Sequence, residues 1–468
     1  MAAKLDSLKP IVALCKRRGF IYPGSELYGG FANTYSYGPY GTALKNNLKN
    51  LWWKTFVEQR SDMVGIDGPI LLHPLAWKAS GHIDSFTDAL VDCRECKSRF
   101  RADHLIESKL KIKVEGLSLA DLSRLILENK LKCPKCGLSN FTEVRHFNLM
   151  FQTQMSKTSN SAENIAYLRP ETAQAIFLEY KNILDTTRIK IPFGIAQIGK
   201  AFRNEITPGN FIFRVIEFEQ MEIEYFIEEK NWESTFSDWL EQMHLWCEKI
   251  GLKKEHLQEK EHAPEQLSHY SKKTVDLLYD FPFGASELYG LAYRTDFDLR
   301  QHAQFSGVNL DYVNPADSRR FLPHVIEPTF GLDRTLLALL CEAYEEEKLE
   351  GGEMRTVLHF SPLIAPVKLA IFPLMKKDEL AAVARKLYDE MKMVFHTEYD
   401  ESGAIGKRYR RQDELGTPFC VTVDYQTLED QTVTVRERDS MKQKRVAIGQ
   451  LAHQIATLLY SGKPTDGF

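Results

Sequence analysis

The chain lacks any uninterrupted apolar run of about 20 residues, and no apolar stretch of the signal-peptide kind opens it. Neither a membrane partner nor a secretory leader is expected, and a cytoplasmic location is. A strong charge bias is missing too. The 60 lysines and arginines stand against 64 aspartates and glutamates, a formal net charge of −4. Nothing in that balance announces a nucleic-acid partner, so any such surface must be local. Repeats and low-complexity tracts are absent. The stretch Gly403-Ala404-Ile405-Gly406-Lys407 does not have the spacing of a phosphate-binding P-loop. What remains, 43% hydrophobic and 26% charged over 468 residues, is a soluble globular composition with length for two or three domains.

Cysteine is scarce and unevenly used. Cys15, Cys247, Cys341 and Cys420 are scattered singly and read as core thiols. The other four form Cys93-x-x-Cys96 and Cys133-x-x-Cys136, the pairing of a four-thiolate structural zinc site. A disulfide does not suit a reducing cytosol; the alternative is two reduced turns without metal. The gap between the pairs exceeds the usual roughly 15–20 residues. The insert, about 88–147, should therefore fold a small helical unit of its own.

Apolar residues at helical spacing predict a helix over 41–59, with Leu44, Leu48, Leu51, Trp52 and Phe56 on one face, followed by a strand over 63–72 containing Gly68-Pro69. A Trp- and Met-rich helix is expected over 232–250, and a solvated Lys/Glu-rich segment to about 273, the whole of 227–280 forming a helical insertion. Pro362 and Pro366 mark a boundary near 361. Beyond it, strands at 367–372, 419–423 and 432–436 alternate with helices at 378–392 and 445–459, the pattern of a small α/β domain. Its basic clusters are Lys407, Arg408, Arg410, Arg411 and Lys442, Lys444, Arg445.

The most informative stretch is 201–226. Thr207-Pro208-Gly209-Asn210 is a turn signal flanked by β-prone residues. Alternation puts Arg203 and Glu205 on one strand face, and Arg214, Ile216, Phe218, Gln220, Glu222 and Glu224 on one face of the next. Glu217 and Glu219 charge the opposite face, so a strand with no clean apolar side is best understood as lining a polar cavity.

Phe202-Arg203-x-Glu205, a loop, then Arg214-x-x-x-Phe218 resembles the second signature of class II aminoacyl-tRNA synthetases. The long helix with its proline-bearing strand resembles the first, and Ile326 to Arg334 followed by an apolar helix resembles the third. The wording R-N-E-I-T-P-G-N-F and E-F-E-Q-M-E resembles the homodimeric, bacterial type of glycyl-tRNA synthetase over nearly the whole chain.

The resemblance implies an α+β protein. A class II catalytic core, an antiparallel sheet flanked by helices, would span 1–360 with the four-cysteine, zinc-ribbon-like insertion. An α/β anticodon-binding domain would span 361–468. Glycine, ATP and tRNA(Gly) would be the partners, with Mg²⁺ bridging phosphates and the chain a homodimer. Arg203 would hold the α-phosphate and Arg334 the γ-phosphate side; Phe218 would stack on adenine. Asn204, Glu205, Phe213, Arg214, Val215, Ile216, Glu217, Glu287, Leu288, Gly331, Leu332 and Asp333 complete the expected ATP site. Glu171, Glu222 and Glu327 would receive the glycine ammonium; Arg294 falls at a matching position of the same site, and Arg101 matches a residue that reaches the substrate. Around them would stand Phe218, Glu219, Gln220, Met221, Pro328, Thr329, Phe330 and Gly331. Glycine offers no side chain, so its charged ends must supply affinity, and every competitor is larger, so steric exclusion suffices without editing.

The chain departs from the family's pattern at Ile216, where arginine is common, and at Thr329, Ala285-Ser286 and Tyr293. Loss of a positive charge at 216 predicts slightly weaker ATP binding. Two competing readings remain at this stage. One is a sister synthetase for threonine, proline or histidine, against which the glutamate set speaks. The other is a non-catalytic nucleic-acid-binding relic, against which the retained Arg203, Arg214 and Arg334 speak.

Overall fold

The computed structural model describes residues 6–31, 33–114, 116–155, 165–349 and 351–460. Seven strands build the main sheet: β1 (Met63–Ile66), β2 (Phe193–Phe202), β3 (Glu217–Ile227), β4 (Leu257–Glu261), β5 (Lys273–Phe281), β6 (Gly284–Thr295) and β7 (His324–Gly331). Their spatial order is β4-β5-β6-β7-β3-β2-β1. Only β1 and β2 run parallel. Four helices frame it: α1 (Pro39–Trp53), α2 (Ala173–Thr187), α3 (Trp232–Ile250) and α4 (Leu332–Ala343).

β3 explains how one sheet separates core from cavity. Met221, Ile223, Tyr225 and Ile227 point to one face and join Trp52, Phe56, Trp239, Trp246 and Leu336 in the principal core. Each such fully buried side chain contributes roughly 1.5–3 kcal/mol. The alternate residues Phe218, Gln220, Glu222 and Glu224 share the other face, which ends where Phe226 packs on Phe177 and Tyr180 of α2. From Met221 onward the strand does have a clean apolar face. The charge expected opposite the cavity is confined to the start of the strand: Glu217 pairs with Lys200, and Glu219, held by Lys45 and Lys49 of α1, also lines the cavity.

Several segments differ from expectation. The proline-bearing strand stops at Ile66; beyond it the carbonyls of Gly68 and Pro69 accept from Arg169 at 2.8 and 3.2 Å instead of continuing the ladder. Segment 227–280 is not a helical insertion: α3 is followed by β4 and β5 of the main sheet. β4 is an edge strand whose residues after Leu257 are exposed Gln, Glu and Lys, the composition that protects a sheet edge and mimics a solvated loop.

The insertion folds Thr87–Asp92 between Arg99–Arg101 and Arg145–Asn148. Helices Ala102–Leu110 and Leu119–Glu128 pack Leu105, Ile106, Leu122 and Ile126 over this small sheet.

Beyond residue 361, β8 (Leu369–Pro373), β9 (Thr397–Tyr399), β10 (Phe419–Val423), β11 (Thr432–Glu437) and β12 (Gln443–Ala447) form a second sheet, ordered β9-β8-β10-β11-β12. The helix expected over 445–459 runs only from Leu451 to Tyr460, because Gln443–Ala447 pairs with β11. A further helix, α5 (Ile405–Leu415), buries a polar face of Arg408, Gln412 and Asp413. Asp413 ties this region to the rest: Arg355 donates to it at 2.9 Å and Arg436 at 3.0 Å. Arg438 reaches the carbonyls of Phe360 and Gly416, and Arg17 and Arg18 grip Glu414.

Candidate functional site

β2, β3, β6 and β7, with the start of α4, surround a cavity of about 310 Å³ whose two ends differ in charge. At one end stand Arg203, Arg214 and Arg334 with Phe213, Phe218 and Glu287. Arg203 and Glu205 lie just past the end of β2, not within it, and Arg214 just before β3. The main chain still pairs there, Arg203 N donating to Ile216 O at 3.0 Å, so the side chains reach the cavity. The Arg203 guanidinium sits between two rings, 5.4 Å from the Phe86 centroid and 5.3 Å from that of Phe218. Arg334 lies over Phe213 at 4.7 Å and pairs with Glu287 at 2.9 Å. Arg334, against burial and helped by Arg203 and Arg214, holds the Glu287 carboxyl below its ordinary range. Among the described residues, neither Arg203 nor Arg214 has an ion-pair partner.

The other end is a buried carboxylate cluster around one cation. Arg294 is 1% exposed; it donates to Asp298 at 2.8 and 3.0 Å and to Glu327 at 2.6 Å, and lies 3.9 Å from Glu171. The ring of Tyr270 covers the guanidinium at 3.9 Å. Gln174 donates to Glu171 at 3.0 Å and to Asp298 at 2.9 Å. Glu222 accepts from Thr172 and, at 3.1 Å, from Thr329. Glu224, fully buried beneath them, has no hydrogen-bond partner on either oxygen among the described residues.

So many carboxyls cannot all ionise cheaply beside one arginine. Against burial, which would raise it, His82, Arg294 and Gln174 hold Glu171 below the ordinary range. Burial and the neighbouring glutamates overcome Arg294 and push Glu327 up to about 8. Glu222 is raised by burial and by Glu171, and Glu224 well above the usual value by burial and Glu327. A cation entering here would meet carboxyls that ionise on its arrival.

The cavity brings together most of the residues expected from the sequence: Glu171, Glu222, Glu327 and Thr329 at one end, Arg203, Glu205, Phe213, Arg214, Val215, Phe218, Glu287, Leu288 and Arg334 at the other, with Glu219, Gln220, Gly331 and Asp333 also lining it. Arg294 backs the cluster from behind. Others fall elsewhere. Arg101 is turned to Asp88 at 3.3 Å and Asp103 at 2.6 Å, in a separate cleft with His104 and Lys113. Met221, Phe330 and Leu332 are core residues, and Pro328 is buried in β7. Asn204 N donates to Leu149 O, and Glu217 pairs with Lys200. Ile216 contributes its carbonyl to Arg203 and does not line the cavity, which removes the ground for weaker ATP binding there. Asp333 accepts from Tyr37 and from Glu219 N at 2.7 Å, so it braces β3.

Sequence reasoning missed His82, Phe86, Tyr270 and the Lys45–Lys49 pair. Tyr270 belongs to the segment 251–273 read as solvated surface, yet His262, Gln266, Ser268 and Tyr270 all line the cavity. Composition hid them, since the charged neighbours on β4 dominate that window. Thr172, Gln174 and Asp298 lie within four residues of Glu171 or Arg294, and their roles went unread.

The four cysteines converge in the insertion. Cys93 and Cys136 sulfurs lie 3.6 Å apart, and Cys96 and Cys133 3.7 Å, with all four within 4.8 Å of one another. A tetrahedral ion bound at about 2.3 Å spaces its sulfurs about 3.8 Å apart, whereas a disulfide needs about 2.05 Å.

Comparison with known proteins gives three domain matches. Residues 151–343 match the tRNA synthetase class II core domain (G, H, P, S and T), 368–458 the anticodon binding domain, and 108–149 the glycyl-tRNA synthetase insertion domain 1. The chain is 53% identical over 453 residues to a glycine–tRNA ligase of Caldanaerobacter subterraneus subsp. tengcongensis, and 54% identical over 450 residues to one of Acetivibrio thermocellus. Each alignment covers 95% of this chain and 97% of the relative. A protein of the same name from Geobacillus thermodenitrificans is 52% identical over 459 residues, covering 96% of this chain and 97% of its own length.

Proposed function

This chain belongs to the glycine–tRNA ligases of class II, and on that footing we propose that its cavity holds ATP at the arginine end and glycine among Glu171, Glu222 and Glu327. The enzyme activates glycine with ATP to glycyl-adenylate, releasing pyrophosphate, and transfers the glycyl group to the 3′ end of tRNA. The first step is attack of the glycine carboxylate on the α-phosphorus, for which no side chain need act as nucleophile. Positioning and charge stabilisation supply the rate. Arg203 serves the α-phosphate, its guanidinium fork matching phosphate oxygens, and Arg334 the terminal phosphates. Adenine stacks on Phe218, and Arg214 binds another part of ATP. Mg²⁺ would neutralise phosphate charge, and Glu205 and Glu287, the carboxylates at the arginine end of the cavity, are those that would hold it. Asp333 is already committed to Tyr37 and β3.

The observation that carries the glycine assignment is the buried glutamate set around Arg294. It offers an ammonium several acceptors and leaves no apolar room for a side chain. Thr329, donating to Glu222, adds bulk where a Cβ would enter. Pyrophosphate exchange into ATP, run with each of the twenty amino acids, tests the assignment. Glycine alone should support exchange; exchange with any other amino acid instead would overturn it.

The same reading divides the chain into a catalytic unit over 1–360 and an anticodon-binding unit over 361–468 that contacts tRNA(Gly), in the cytoplasm. The sulfur spacing supports structural zinc on Cys93, Cys96, Cys133 and Cys136. A homodimer fits the apolar side chains left open near the N-terminus, Leu27 (95% exposed), Tyr28 (91%) and Phe31; sedimentation at micromolar concentration should give twice the chain mass.

A further inference from the structure

We propose that His82 is a positioning residue for glycine recognition, holding Glu171 in place through its Nε2–H. The proposal rests on the reading of Glu171 as an ammonium acceptor. Gly81 turns the chain in the left-handed region (φ +82°) and delivers the ring into a slot between Trp77 and Phe86, whose centroids lie 5.5 and 5.3 Å away. The ring is buried, 7% exposed. Its Nδ1 lies 2.8 Å from the Ser80 hydroxyl, and its Nε2 lies 3.3 Å from Glu171 Oε2.

The Ser80 oxygen is also 3.3 Å from the Trp77 carbonyl. With the hydroxyl proton turned to the nearer Nδ1, the ring proton sits on Nε2 and points at Glu171. Gln174 serves the other oxygen at 3.0 Å and is itself fixed, because its carbonyl accepts from His302 at 2.8 Å. Glu171 thus has a partner at each oxygen, Gln174 by a hydrogen bond to Oε1 and the His82 ring by a charge-pair contact with Oε2. Arg294, at 3.9 Å, is too far to replace either. Removing the His82 ring leaves Oε2 of this largely buried carboxylate without a side-chain partner, a loss that for a charged group is worth about tenfold or more in affinity. It should act on bound glycine before and during the chemical step alike, and so on KM more than kcat.

The test compares H82A, H82Q, H82N and E171Q in glycine-dependent pyrophosphate exchange. The Gln amide nitrogen falls where Nε2 was, and the Asn amide falls nearer Nδ1. We expect H82A and H82N to raise the KM for glycine about tenfold, with kcat and the KM for ATP within threefold of the parent, and H82Q to restore most of the loss. H82Q and H82N carry the test if H82A does not fold. If E171Q raises the glycine KM strongly while the His82 variants leave it unchanged, or raise the KM for ATP equally, the proposal fails and the Glu171 reading stands. If E171Q leaves the glycine KM unchanged, both fall.

Discussion

The arginines of the cavity and those of the C-terminal region occupy opposite conditions. Arg203 and Arg214 project into the cavity without an ion-pair partner among the described residues, their positive charge left over for a ligand. Arg408 is buried and donates to the carbonyls of Pro373, Glu401 and Gly403. Arg355 and Arg436 share Asp413, Arg411 grips Asp400, and Arg445 grips Asp424. A basic cluster in a sequence therefore says little until its partners are known. Of the two C-terminal clusters, the lysines Lys407, Lys442 and Lys444 are exposed, while most of the arginines hold the fold together.

That contrast can be broken or sharpened by substitution. The largest expected effect is on Arg203→Ala: about a thousandfold loss of kcat in pyrophosphate exchange, with the melting temperature unchanged. Substantial destabilisation would place Arg203 with the structural arginines instead. Next is Asp413→Ala, which strands buried guanidiniums and should cost about 3–5 kcal/mol in denaturant unfolding. Adenylation per folded molecule should survive it.

The glutamate end is an intermediate case, with negative charge present but partly proton-filled. Glu327 is raised to about 8 by burial and Glu222 is raised in the same direction, so both are more protonated at low pH. An ammonium prefers them ionised, so the KM for glycine should fall with rising pH, roughly tenfold from 6.5 to 8.5 by linkage. Glu327→Gln should flatten that slope, and an unchanged slope would remove the proton coupling. A chelator should lower the stability of the insertion and release zinc stoichiometrically, measurable by a colorimetric dye. Smallest is Ile216→Arg, which should leave the KM for ATP within about twofold, because that residue does not line the cavity.

Much of this was legible because alternation along β3 reports the cavity directly. Phe218, Gln220 and Glu222 face it as their spacing requires, and helix α3 runs over the residues its apolar period predicts. Less legible were pieces whose composition answers to two demands at once. β4 is a true strand dressed as a solvated segment because edges need charge. β12, with Lys444 and Arg445, is hidden in the same way. Arg101 was misplaced for a different reason: resemblance names a residue, while Asp88 and Asp103 decide where its guanidinium rests. His82 lies outside every signature, and only folding brings it to Glu171.

The Asp413 junction has a mechanical consequence. With Arg355 buried against α5, Arg438 laced to the carbonyls of Phe360 and Gly416, and Glu414 clasped by Arg17 and Arg18, the span between the cavity and the second sheet is set like the jaws of a caliper. An RNA that contacted both would meet them at a set separation.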